Sequence, residues 1–94
     1  MRLKQYELNS IKNIVKSFFS DAKIYIFGSQ TDDAKRGGDI DIYIVSKEKE
    51  NLLSKKANIV FLLESKLLKP IDILIHQDFT RAIEQEALKG VEIG

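Results

Sequence analysis

Three aspartates stand in apolar runs where a chain building only a core would carry valine. Asp39 and Asp41 lie in Gly38-Asp39-Ile40-Asp41-Ile42, and Asp72 lies in Pro70-Ile71-Asp72-Ile73-Leu74. Residues two apart in an extended strand face the same side, so Asp39 and Asp41 project together, about 7 Å apart at the backbone. Aspartate is depleted in strands, and like charges side by side are destabilising. The arrangement therefore opposes both propensity and electrostatics unless a cation sits between the side chains. A divalent metal is the simplest such cation, and hard carboxylate oxygens suit Mg²⁺.

A second element precedes the pair. Gly28-Ser29 closes an apolar, β-branched run and opens a polar segment, Gln30 to Gly38. Glycine lets a ligand approach the backbone, while serine offers a hydroxyl and can cap a short helix whose free N–H groups hold an anion. A phosphate seat, a same-face carboxylate pair and a third carboxylate on a later strand together describe a nucleotide held through its triphosphate with Mg²⁺. Asp39 and Asp41 would ligate the ions. Asp72 would complete the site beside the catalytic ion and help deprotonate an acceptor hydroxyl.

The elements that position these residues follow from hydrophobic periodicity. Between Glu7 and Phe19, Leu8, Ile11, Ile14, Val15, Phe18 and Phe19 recur at three- and four-residue steps, which predicts an amphipathic helix. Lys23 to Phe27 alternates and predicts a strand. Asp39 to Val45 predicts a second strand, with Ile40, Ile42 and Ile44 on one face and Asp39, Asp41 and Tyr43 on the other. The charged run Ser46 to Glu50 leads into a second helix marked by Leu52, Leu53, Ala57, Val60, Phe61, Leu63 and Leu67, ending before Pro70. Ile71 to Ile75 predicts a third strand, with Asp72 facing away from its isoleucines. Thr80 to Leu88 predicts a final short helix, with Gly90 as its terminator.

The order α-β-β-α-β-α is an α/β (α+β) class: one domain over residues 1–94, a small mixed sheet flanked by helices. The helices are expected on the isoleucine face, leaving the aspartate face open for a ligand. Tyr43 is expected to pack against a helix, with stacking on a base as the alternative. His76, the lone histidine, reads as a surface residue with a nucleotide contact as the sharper reading, and Arg81 could reach a phosphate or a partner acid.

Composition narrows the function classes. Lys+Arg of 15 against Asp+Glu of 14 gives a net charge of +1, with no strongly basic stretch, so direct, strong nucleic-acid binding is not expected. The absence of cysteine excludes a disulfide framework and a thiolate metal site. The amino terminus lacks the apolar core of a signal peptide, and no apolar run reaches the ~18 residues of a membrane span, so a soluble, cytoplasmic protein is expected.

Phe27-Gly28-Ser29, the segment through Lys35-Arg36-Gly37-Gly38, Asp39-Ile40-Asp41-Ile42 and the downstream Asp72 resemble the minimal nucleotidyltransferase (MNT) family of the DNA polymerase beta-like superfamily. The match runs in the right order over nearly the whole chain. It implies a polymerase beta palm-like fold, Asp39, Asp41 and Asp72 as Mg²⁺ ligands and catalytic residues, and Gly28, Ser29 and Arg36 on the triphosphate of ATP. Members of this kind are commonly antitoxins encoded beside a HEPN-domain ribonuclease, and some transfer AMP from ATP to a tyrosine of that toxin. The resemblance thus implies an adenylyltransferase antitoxin with a HEPN toxin as acceptor and partner. A non-catalytic antitoxin acting by occlusion is the alternative, followed by transfer to a small molecule. This chain differs from the common pattern in its nine-residue spacer from Gln30 to Gly38, in Gln30 where arginine is frequent, and in Gly38 before the first aspartate.

Overall fold

The computed structural model describes residues 2–28 and 38–94. Seven elements follow one another: α1 (Gln5–Phe18), β1 (Lys23–Phe27), β2 (Ile40–Val45), α2 (Leu52–Leu67), β3 (Ile71–Ile75), α3 (Ala82–Leu88) and β4 (Val91–Glu92). β1 and β3 have the bounds expected from their alternation. α1 begins two residues earlier than its apolar stripe, because the Glu7 carboxylate reaches back to accept from the Lys4 N–H at 3.0 Å and satisfies a donor at the helix start.

The strands form one sheet in the order β3-β2-β1-β4. β2 pairs antiparallel with β1 and parallel with β3. A parallel pair needs a long crossover between its strands, and α2 provides it. α2 is closed by Leu68, just past its last residue, whose backbone is left-handed with φ 56° and whose N–H bonds the Glu64 carbonyl, so that Pro70 can start the run into β3.

The core lies on one face of the sheet. Ile24, Ile26, Ile40, Ile42 and Ile44 pack there with Ile11, Val15 and Phe19 from α1 and its end, and with Ile59 and Leu63 from α2, all fully buried. Each buried isoleucine contributes roughly 2–3 kcal/mol of transfer free energy. A one-residue slip of β2 would bring Asp41 and Tyr43 into this layer, so the isoleucines hold the aspartates on the opposite face.

Two expectations need correction. The three helices do not share one side: α1 and α2 cover the isoleucine face, while α3 packs on the other, where the Tyr43 hydroxyl donates to Glu84 of α3 at 2.6 Å. The aspartate face is therefore partly roofed. The chain also adds β4 beyond Gly90, paired antiparallel with β1 through Tyr25↔Glu92 and Ile26↔Val91. A strand of two residues has no periodicity to read. A Cβ at Gly90 would collide with the Ile26 carbonyl, so glycine is what allows the chain to turn so closely onto β1.

Candidate active site

The site forms at the ends of three adjacent strands. Asp41, the second residue of β2, is in register with Asp72, the second residue of β3, and with Phe27, the last residue of β1. Neighbouring strands are about 4.8 Å apart, so the Asp41 and Asp72 side chains emerge side by side on the same face. Asp39 lies just before β2, two residues from Asp41. Its neighbour Ile40 is tied down by an N–H bond to the Pro70 carbonyl at 2.9 Å, which aligns the starts of β2 and β3.

Electrostatics confirm that the three carboxyls share one environment. The Asp41 carboxyl is held above the usual carboxylate range by partial burial first, then by the charges of Asp72 and Asp39, and by a hydrogen bond with Asp72. Asp39 and Asp72 are exposed, and Asp41 is half-buried between them. The strand pairing thus concentrates negative charge at a point open to solvent.

Gly28 completes the floor. Its φ is +75°, a conformation side chains rarely adopt, and a Cβ there would run into the Asp41 carboxylate. Asp41 occupies the space that glycine leaves. Ser29 and Arg36, expected on the triphosphate, lie outside the described residues.

The donor set fits Mg²⁺. All three groups are hard oxygen donors, and the raised Asp41 carboxyl marks a spot short of positive charge. Among the described residues no three acidic, imidazole or thiol groups are placed so that together they could hold a metal ion. An ion that takes one or two carboxylates and completes its shell with substrate phosphates and water needs no such set.

The nucleotidyltransferase-domain family profile matches residues 8–93, which takes in most of α1, every later element and all three aspartates. The chain belongs to the nucleotidyltransferase family. No curated protein matches it at a significant level. A solved structure of tri-AMPylated Shewanella oneidensis HEPN toxin in complex with MNT antitoxin contains a chain that matches this nucleotidyltransferase with a TM-score of 0.75. The identity is 19%, over 98% of this chain and 72% of that one. The likeness establishes a common fold.

Sequence reasoning weighed Tyr43, His76 and Arg81 one at a time and missed what joins them. In this nucleotidyltransferase all three converge on Glu84, which is fully buried. Glu84 Oε1 accepts from the Tyr43 hydroxyl and lies 2.6 Å from His76 Nδ1. Oε2 accepts from the Gln77 and Asp78 N–H groups at 2.9 Å and from Arg81 at 3.1 Å. Burial alone would raise the Glu84 carboxyl, but these hydrogen bonds outweigh it and lower it to about 2. An ionised Glu84 accepts only, so the His76 proton sits on Nδ1.

Tyr43 thus packs against a helix, as expected, and its hydroxyl is pushed well above its ordinary range by burial and by Glu84. His76 is half-buried, stacked on Phe79 with ring centroids 3.8 Å apart. Arg81 reaches an acid of its own chain. His76 and Arg81, expected on a surface, near a nucleotide or on a partner acid, instead join Tyr43 and Glu84 in clamping α3 and the loop before it onto the sheet. The readable signal was Glu84 itself, an acid at an inward position of a short helix.

Proposed function

We propose that this chain is a Mg²⁺-dependent adenylyltransferase that moves AMP from ATP to a tyrosine hydroxyl of a HEPN toxin, and so acts as that toxin's antitoxin. The observation that carries the reading is the in-register pair Asp41 and Asp72, with Asp39 beside them, on a face open to solvent. Membership of the nucleotidyltransferase family supports the reaction class. The fold shared with a chain from the complex of AMPylated HEPN toxin and MNT antitoxin supports the acceptor and partner.

In the proposed reaction the acceptor oxygen attacks the α-phosphorus of ATP. The bond from that phosphorus to the bridging oxygen breaks, and pyrophosphate leaves with the bond's electron pair. Asp39, Asp41 and Asp72 would hold Mg²⁺, which would supply the positive charge that offsets charge developing on the attacking and leaving oxygens. Asp72 is exposed beside Asp41, where its carboxylate would accept the acceptor proton. Gly28 leaves room for the Asp41 carboxylate beside it, with Ser29 and Arg36 assigned to phosphate oxygens. The Glu84 clamp holds α3 on the same sheet face and limits what can enter beside Tyr43.

The test combines purified chain, radiolabelled ATP, Mg²⁺ and a HEPN toxin. Label should appear on a toxin tyrosine with wild type and not with Asp41→Asn. Equal labelling by both would refute catalysis at this site. Protection of cells by a folded Asp39→Ala/Asp41→Ala variant would instead establish neutralisation by occlusion.

A further inference from the structure

The sheet face that carries the aspartates has a second concavity at its other end. Asp41 and Val45 are the second and last residues of β2 and point to the same side, roughly 13 Å apart along the strand. Tyr43 lies between them, bonded to Glu84 of α3. Beyond that clamp a cavity of about 620 Å³ opens beside Val45, and Asp39, Asp41 and Asp72 do not line it. Its size is that of a small-molecule site.

One wall is aromatic. Phe79 and His76, from the loop between β3 and α3, line the cavity and stack on each other with ring centroids 3.8 Å apart. Tyr25 of β1 also lines it, while Val45 and Leu88, the last residue of α3, add aliphatic surface. Phe79 remains 49% exposed despite the stack, so it offers ring surface to a flat ligand. The platform is also set in advance. His76 Nδ1 is held by the fully buried Glu84, which lowers the ordering cost of binding.

The rim is cationic. Lys23 at the start of β1 and Lys47 and Lys49 just after β2 line the cavity, against a single carboxylate, Asp21. Both Asp21 oxygens are engaged, one by the Ser46 hydroxyl at 2.5 Å and the other by the Lys47 N–H at 2.8 Å. Among the described residues none of the three lysines forms an ion pair. Lys49 donates to the His76 carbonyl at 3.2 Å and keeps two further donors. Three ammonium groups around one apolar cavity suit a group bearing close to two negative charges, which a phosphate monoester carries at pH 7.

A planar ring for the aromatic wall, joined to a phosphate for the lysines, describes a nucleoside monophosphate. A phenyl phosphate has the same two parts but would leave most of the cavity empty. We propose that this cavity binds a nucleoside monophosphate, separately from the site at the aspartates, with the base stacked on Phe79 and the phosphate among Lys23, Lys47 and Lys49. One stack and three solvent-exposed lysines make a weak site, with a dissociation constant of about 0.1–1 mM. The proposal is independent of the reaction proposed above, because the cavity contains none of the three aspartates.

His76 is the chain's one histidine, so its ring-proton NMR signals report directly on this cavity. At fixed pH in EDTA, AMP should shift them saturably, and to the same extent in wild type and in Asp39→Ala/Asp41→Ala. Inorganic phosphate and adenosine should each bind at least ~10-fold more weakly than AMP. Phe79→Ala should weaken AMP binding ~10-fold or more. Lys47→Glu, at an exposed position, should weaken it at least ~5-fold with an unchanged circular dichroism spectrum, and affinity should fall as salt rises. No shift at ~10 mM AMP, a shift abolished in Asp39→Ala/Asp41→Ala, or binding undiminished by both Phe79→Ala and Lys47→Glu would overturn the proposal. Equal affinity for inorganic phosphate or for adenosine would also overturn it, leaving a basic or an apolar patch. Equal affinity for phenyl phosphate would overturn it in favour of a phosphorylated aromatic side chain.

Discussion

Asp41 and Asp72 face each other in register across the parallel pair β2 and β3, and partial burial first, then the charges of Asp72 and Asp39, hold the Asp41 carboxyl above its ordinary range. The fold thus maintains an electrostatic conflict at one spot on its surface. Structures tolerate such conflicts where function requires them, and the stability lost is recovered when a cation binds.

Replacing Asp41 with asparagine should therefore separate stability from activity. Nucleotidyl transfer should fall by ~10²-fold or more, while the metal-free fold gains up to ~1 kcal/mol from relief of the like-charge pair. The sign follows from the raised carboxyl. Its favourable contribution is complete below the ordinary carboxylate pKa and is lost as pH rises through the raised value, so the variant's advantage should grow from acid to neutral pH. Urea melts of both proteins in EDTA at pH 4 and pH 7 measure this.

Binding of Mg²⁺ should reverse that ranking. A ligand that binds only the native state adds about 2.7 kcal/mol at a hundred times its dissociation constant. With Mg²⁺ and a non-hydrolysable ATP analogue, wild type should melt higher than Asp41→Asn; in EDTA the order should invert. Thermal melts in the two buffers provide the readout.

Gly28→Ala places a methyl group where the Asp41 carboxylate lies and imposes φ +75° on a residue with a Cβ. The left-handed backbone alone costs ~1–2 kcal/mol, and displacement of Asp41 adds to this. Stability should fall by at least that amount in a urea titration. Transfer activity in the surviving folded fraction should also drop, because the displaced group is a proposed metal ligand.

Glu84 should govern acid stability. Its carboxyl is lowered to about 2 from an ordinary 4.5, so its contribution is complete above about 4.5 and disappears as pH falls toward 2. Glu84→Gln should cost ~1–3 kcal/mol at pH 7 by replacing a charged acceptor of five donors with a poorer one. The variant should also show a flatter decline between pH 5 and pH 2. Tyr43→Phe, which removes one of the five donors, should cost ~1 kcal/mol. Chemical denaturation across that pH range tests all three statements.

The alternation of Ile40, Ile42 and Ile44 against Asp41 and Tyr43 told the faces of β2 apart before any pairing was known. The same reasoning placed Asp72 opposite the isoleucines of β3. Both rest on the two-residue period of a strand, which is local. A helix against Tyr43 was expected, but which helix and through which partner was not legible in the same way. Tyr43 reads as a residue packed against a helix, His76 as a surface residue and Arg81 as reaching a phosphate or a partner acid, and only the Glu84 carboxylate that all three contact shows that they belong to one network.

For this protein the sequence by itself determined which residues are out of place in apolar strands and which face each strand shows to the core. The tertiary structure alone decided that Asp41 meets Asp72 in register, that Gly28 leaves the space Asp41 fills, that α3 roofs the sheet through Glu84, and that β4 extends its edge. The division has a physical cause. Periodicity and residue type act over one or two turns of chain, whereas register and burial depend on contacts between segments far apart in sequence, which form only when the whole core closes.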